Sequence, residues 1–158
     1  MANNILGISL GSRLLGMAVL YDSELCDYRV RTFCGPWTDQ KRREMIAAIR
    51  KTVQRYGITT FSVKTPGPSH CSPSIRALMS DIQALSVADG INLSVCTIAG
   101  LKSRQNGLTR ANKMVLMEDI VRKYGHHRVL AELLSRERKN HSAYHVKLFE
   151  AIACTELA

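Results

Sequence analysis

The sequence predicts an α/β fold: a mixed five-stranded sheet, three antiparallel strands and then alternating parallel ones, with helices on both faces. Two observations predict it. Between Asn4 and Phe33, three strand-like runs are joined by turns too short for anything but an antiparallel meander. After Phe33, helix-like and strand-like segments alternate, which calls for parallel strands covered by helices.

Each element follows from its residues. Asn4 to Leu10 is apolar on both faces, as a buried central strand would be. Gly11, Ser12 and Arg13 break it, and Leu14 to Tyr21 is a second apolar run. Asp22-Ser23 reads as a turn, and Glu24 to Phe33 alternates through Leu25, Tyr28, Val30 and Thr32. Gly35-Pro36 ends the meander. Thr38 suits an N-cap and Asp39 a first helical turn. Met45, Ile49, Val53 and Tyr56 then repeat at helical spacing, and Gly57 closes the helix. Its other face carries Lys41, Arg42, Arg43, Arg50, Lys51 and Arg55, which a solvated face explains slightly better than a binding surface.

Ile58 to Thr65 is a fourth strand, followed by a loop containing Pro66 and Pro68. Ser72-Pro73 supplies an N-cap and an N1 proline for a helix carrying Ile75, Leu78, Met79, Ile82 and Leu85. Ile91 to Ile98 is a fifth strand, and Ala99 to Gly107 is polar and basic. Thr109 caps a helix with Met114, Met117, Val121 and Tyr124 on one face. A short helix is expected from Val129 to Leu134, then a charged stretch from Arg136 to Asn140. A final helix is expected from about Ser142, with Val146, Phe149, Ile152 and Ala153 on its apolar side. Without a repeat or linker, residues 1–158 are expected to form a single domain.

Composition narrows the function classes. No run approaches the roughly 18 apolar residues of a membrane span, and the N-terminal residues lack the cationic flank of a signal peptide. Five cysteines with no CxxC pair argue against a zinc site or disulfide framework and for reduced thiols in the cytoplasm. The formal charge is +9 and the pI about 9.6, which favours a polyanionic partner. Aromatic residues make up only 6%, so a base-stacking platform is not expected.

The run from Ile5 to Leu20, ILGISLGSRLLGMAVL, resembles the opening of the RuvC Holliday-junction resolvases, roughly I-L-G-I-D-P-G-S-R-x-x-G-x-x-V. Gly7, Gly11, Ser12, Arg13 and Gly16 fit that pattern, and Ser9 stands where the family has its first catalytic aspartate. Gly107 to Val115, GLTRANKMV, is similar to the family's G-x-x-A-x-K-x-x-V with one residue more, and Lys113 matches its basic residue. The element order is that of the ribonuclease H-like topology. A similar strand-turn-strand opens the actin-like and sugar-kinase ATPases, but those need two such domains, and the same aspartate is missing here.

The resemblance implies a chemistry that the residues then fail to supply. Nucleases of this fold hold two divalent metals with carboxylates. One aspartate ends the first strand, one glutamate ends the fourth, and one or two acids open the last helix. The matching positions here are Ser9, Lys64 and the stretch His141-Ser142-Ala143-Tyr144-His145. Glu150 is the nearest acid, more than a turn further on, with Lys147 before it. Ser9, Lys64, Ser142 and His145 are therefore read as vestigial positions, with no catalytic residue, metal or cofactor. Lys64 is expected to take the place of the missing ion. His141 and His145 have the spacing of two zinc ligands on one helix face. Without a third ligand, they and His126 and His127 read as surface and capping residues.

The expected function is a catalytically inactive ribonuclease H-like domain that binds nucleic acid, branched or duplex DNA among the candidates, through a basic cleft. The expected contacts are Arg13, Lys64, Lys102, Arg104, Arg110 and Lys113. Such contacts would be chiefly to phosphate, with low sequence specificity and steep salt dependence. Two alternatives stay open: an active endonuclease with an atypical Mg²⁺ site, and an oligomeric interaction domain without nucleic acid. RuvC resolvases are dimers, so the resemblance also implies a possible homodimer.

Overall fold

The computed structural model describes residues 3–65, 71–96, 113–140 and 145–158. Five strands form one sheet: β1 (Ile5–Ser9), β2 (Leu14–Tyr21), β3 (Glu24–Thr32), β4 (Thr60–Lys64) and β5 (Asn92–Cys96), in the order β3-β2-β1-β4-β5. The first three are antiparallel neighbours, and β4 and β5 run parallel to β1. The described helices are α1 (Asp39–Tyr56), α2 (Pro73–Asp89), α3 (Lys113–Lys123), α4 (Arg128–Asn140) and α5 (Val146–Thr155).

Local chemistry sets the boundaries. Asp22 and Ser23 have φ of 48° and 69° and form the two-residue loop between β2 and β3, the left-handed geometry that tight hairpins require. The Thr38 hydroxyl accepts from the Lys41 amide at 3.1 Å, and the Ser72 hydroxyl accepts from the Ile75 amide at 3.3 Å. Gly57 and Gly90 end α1 and α2 with φ of 58° and 66°.

The sheet separates two cores. Leu6, Ile8, Leu10, Met17, Phe61 and Val63 pack on one face against α1 and α2 through Met45, Ile49, Leu78 and Ile82. On the other face, Ala18, Leu25, Tyr28 and Val30 meet α3, α4 and α5 through Met117, Ile120, Leu130, Phe149 and Ile152. Leu25 is out of phase with Tyr28 and Val30 in sequence, yet all three join this second core. A bulge resolves the conflict: Leu20 pairs with Leu25 and Val19 with Asp27, which leaves Cys26 as the extra residue.

Several boundaries differ from expectation. Strand β3 stops at Thr32, because Phe33 turns its ring into the first core while its amide donates to the Arg13 carbonyl at 2.8 Å. Helix α4 continues through the charged stretch to Asn140. Two of its charges are paired in place: Arg138 bonds Glu118 of α3 at 2.8 Å, and buried Glu137 lies 2.7 Å from His145 Nδ1. The last helix is described from Val146; its expected start at about Ser142 and the expected cap Thr109 fall outside the described residues. No helix among the described residues is long and apolar enough to cross a membrane.

Candidate functional site

The site lies where the parallel strands end. In register, Ser9 of β1 is beside Lys64 of β4, and Lys64 is beside Cys96 of β5. Residues paired across adjacent strands point to the same face, so these three form a row facing α5. Two residues earlier, Gly7, Ser62 and Ser94 form a second row. These are small residues, and α5 lies close over them. A methyl group on Gly16, which is paired with Ser9, would overlap the Lys147 carbonyl oxygen. A methyl on Gly7 would overlap that of Ala151. On α5, Lys147, Glu150, Ala151 and Cys154 follow helical spacing and form the stripe turned to the sheet.

The result is a buried charge cluster. Lys64 Nζ forms an ion pair with Glu150 Oε2, and the two side chains are only 4% and 3% exposed. Lys147 Nζ donates to the Leu10 carbonyl at 2.8 Å, across the end of β1. The Ser9 hydroxyl is buried and has no hydrogen-bond partner among the described residues. Cys96 and Cys154 bring their sulfurs to 3.4 Å.

Burial, and after it the Lys64 ammonium, push Lys147 down to about 8; Glu150 opposes the shift and Lys113 adds to it. This has a measurable consequence. The unfolded chain keeps the Lys147 proton up to the ordinary lysine value of 10.5. Between those values folding releases a proton, so this contribution to stability rises with pH; below about 8 both states are protonated and the burial penalty is complete. From pH 7 to pH 10 the Lys147 contribution should rise by roughly 2 kcal/mol. Denaturant titrations of the parent and a Lys147→Met variant isolate it, because tyrosine and thiol titrations cancel in the difference. A stability difference that stays flat over this range would mean that the amine is solvated.

Divalent metals do not fit this donor set. Mg²⁺ requires several hard, largely anionic oxygen ligands. Glu150 is already neutralised by Lys64, and Lys147 adds a second ammonium near both. Among the described residues, no group of three or more His, Cys, Asp or Glu side chains could hold a metal ion.

The expected site residues divide into three groups. Arg13 is exposed in the turn between β1 and β2, and Lys113 is exposed at the start of α3, near enough to Lys147 to lower its pKa. The expectation that Lys64 contacts nucleic acid is corrected, because its charge is buried and spent on Glu150. His145 is turned towards Glu137 of α4. His127 packs its ring at 5.5 Å from that of Tyr28, and burial holds its pKa below the usual histidine value. Lys102, Arg104, Arg110, His141 and Ser142 fall outside the described residues.

Sequence reasoning placed the opening of the last helix at 141–145 and so missed Lys147 as the residue that meets the end of β1. The available signal was Lys147 and Glu150 at i, i+3, in line with Ala151 and Cys154 and opposite two strand glycines.

No family model matches the chain, and no curated protein matches it. Solved structures do match. RuvC from Thermus thermophilus aligns with a TM-score of 0.69 at 13% identity, over 98% of this chain and 93% of that one. T. thermophilus RuvC in complex with a Holliday-junction substrate aligns with a TM-score of 0.68 at 12% identity, over 98% and 92%. Identity this low carries the fold and not the chemistry. The fold is the ribonuclease H-like fold of RuvC.

Proposed function

We propose that this protein is a catalytically inactive RuvC-like domain that binds nucleic acid at the strand-end cleft. The observation that carries the reading is the buried Lys64–Glu150 ion pair. An ammonium occupies the carboxylate's coordination space, with Lys147 beside it. A divalent cation there would have to displace Lys64 and sit near two positive charges in a poorly solvated site, where like charges repel strongly.

The outer surface keeps its attraction for polyanions, with a net charge of +9. Arg13 and Lys113 are the described phosphate-binding residues in this reading. Lys102, Arg104 and Arg110 complete them, and Lys64 is an internal counter-ion. The junction bound by T. thermophilus RuvC makes branched DNA the first probe to try. A homodimer that aligns two clefts belongs to the same reading, and light scattering tests it.

Fluorescence anisotropy with a four-way junction and a matched duplex tests the function. Affinity should fall steeply between about 50 and 200 mM salt. Arg13→Glu and Lys113→Glu should each weaken binding and flatten the log–log salt slope by roughly 0.9 for each phosphate that is no longer neutralised. Absence of binding at low salt would overturn the nucleic-acid role. Cleavage with Mg²⁺ or Mn²⁺ that disappears in Glu150→Gln would overturn the inactive reading.

A further inference from the structure

We propose that Cys96 and Cys154 form a reversible oxidation site, a dithiol that a hydroperoxide converts into a disulfide joining the end of β5 to α5. The two residues are 58 positions apart and lie on different elements, yet their sulfurs are 3.4 Å apart. Closing that gap to the roughly 2.05 Å of a disulfide needs a relative movement of little more than 1 Å. β5 is an edge strand, hydrogen-bonded within the sheet to β4 alone, so it can give. The other three cysteines, Cys26, Cys34 and Cys71, are free thiols outside this pair.

The two thiols differ in the way such a pair requires. Cys96 is partly exposed and Cys154 is fully buried. The hydrogen bond with Cys154 lowers the Cys96 pKa, against burial, with further help from the Lys64 ammonium and the Ser62 hydroxyl and opposition from the Glu150 carboxylate. Cys154 moves the other way, raised by Cys96 and by burial. The accessible sulfur is therefore the nucleophile, and the inner thiol keeps its proton until it is needed.

The reaction balances in two steps. The Cys96 thiolate attacks one peroxide oxygen; the S–O bond forms, the O–O bond breaks, and hydroxide (or alkoxide) leaves with a proton from solvent. The sulfur is then a sulfenic acid. The Cys154 sulfur attacks it; the S–S bond forms, the S–O bond breaks, and water leaves with the Cys154 proton. Two thiols lose two electrons in total, and the hydroperoxide gains them. A small dithiol reverses the bond by exchange.

The test uses the full chain treated with a slight excess of hydrogen peroxide and then alkylated. Free thiols should fall from five to three. A non-reducing peptide map should contain a Cys96–Cys154 cross-link that dithiothreitol removes. The oxidised protein should melt on the order of 10 °C higher than the reduced one. Cys96→Ser, at the more exposed position, should fold and lose the cross-link and the shift; Cys154→Ser should accumulate sulfenic acid at Cys96, trappable with dimedone. Irreversible sulfinic acid at Cys96 in the parent protein, or a cross-link involving only Cys26, Cys34 or Cys71, would overturn the proposal.

Discussion

Glu150→Gln should destabilise the protein by about 3–5 kcal/mol, the usual cost of removing one partner from a buried ion pair. The cost arises from the charge left behind. Lys64 is 4% exposed, so without Glu150 its ammonium lacks both water and a counter-ion. Glu150 also favours the charged form of Lys147, so its loss leaves the buried Lys64 and the half-buried Lys147 as two cations near each other. A paired substitution separates this from simple packing. Lys64→Met combined with Glu150→Leu removes both charges at similar volume and should recover most of the loss. Urea denaturation of the parent, Lys64→Met, Glu150→Leu and the double variant completes the cycle, with Glu150→Gln measured beside them. A cost below about 1 kcal/mol for Glu150→Gln would place the pair among solvated ion pairs.

Gly16→Ala and Gly7→Ala should each cost about 3 kcal/mol through overpacking. A methyl at Gly16 would stand 2.7 Å from the Lys147 carbonyl carbon, besides overlapping its oxygen. At Gly7 the added methyl would meet the Ala151 carbonyl and Thr155 Cγ2, the latter at 2.8 Å. Both obstacles are mainly helix backbone, which cannot rotate aside as a side chain does. Relief requires α5 to lift off the sheet, which would pull Glu150 away from Lys64 and Lys147 away from Leu10. The two substitutions should therefore combine sub-additively, since a helix lifted once accommodates both. Thermal and urea melts of the two single variants and the double variant measure this. Effects within about 0.5 kcal/mol of zero would show that α5 is loosely seated.

Much of the scaffold was legible because local chemistry and long-range packing agree. The caps Thr38, Ser72 and Gly57 act where the sequence puts them. The meander and the alternating half yield the expected mixed sheet. Periodicity failed where charge substitutes for hydrophobicity. The short helix expected to end at Leu134 continues through the charged residues 136–140, where Glu137 is buried beside His145. It also failed at Leu25, where a bulge changes phase. The candidate site was half legible. The position of Lys64 follows from strand spacing, but its burial depends on Glu150, 86 residues later, and on the glycines that admit α5. A single sequence shows that position 9 is a serine and position 64 a lysine; it does not record that Glu150 is the distant group that meets Lys64.

The extra residue at Cys26 has a consequence for self-association. It sits on β3, the outermost strand of the meander, next to Asp27, Arg29 and Arg31. An irregular, charge-studded margin is a poor template for another backbone to dock in register. Edge-to-edge, fibril-like growth from that side of the sheet is thereby disfavoured.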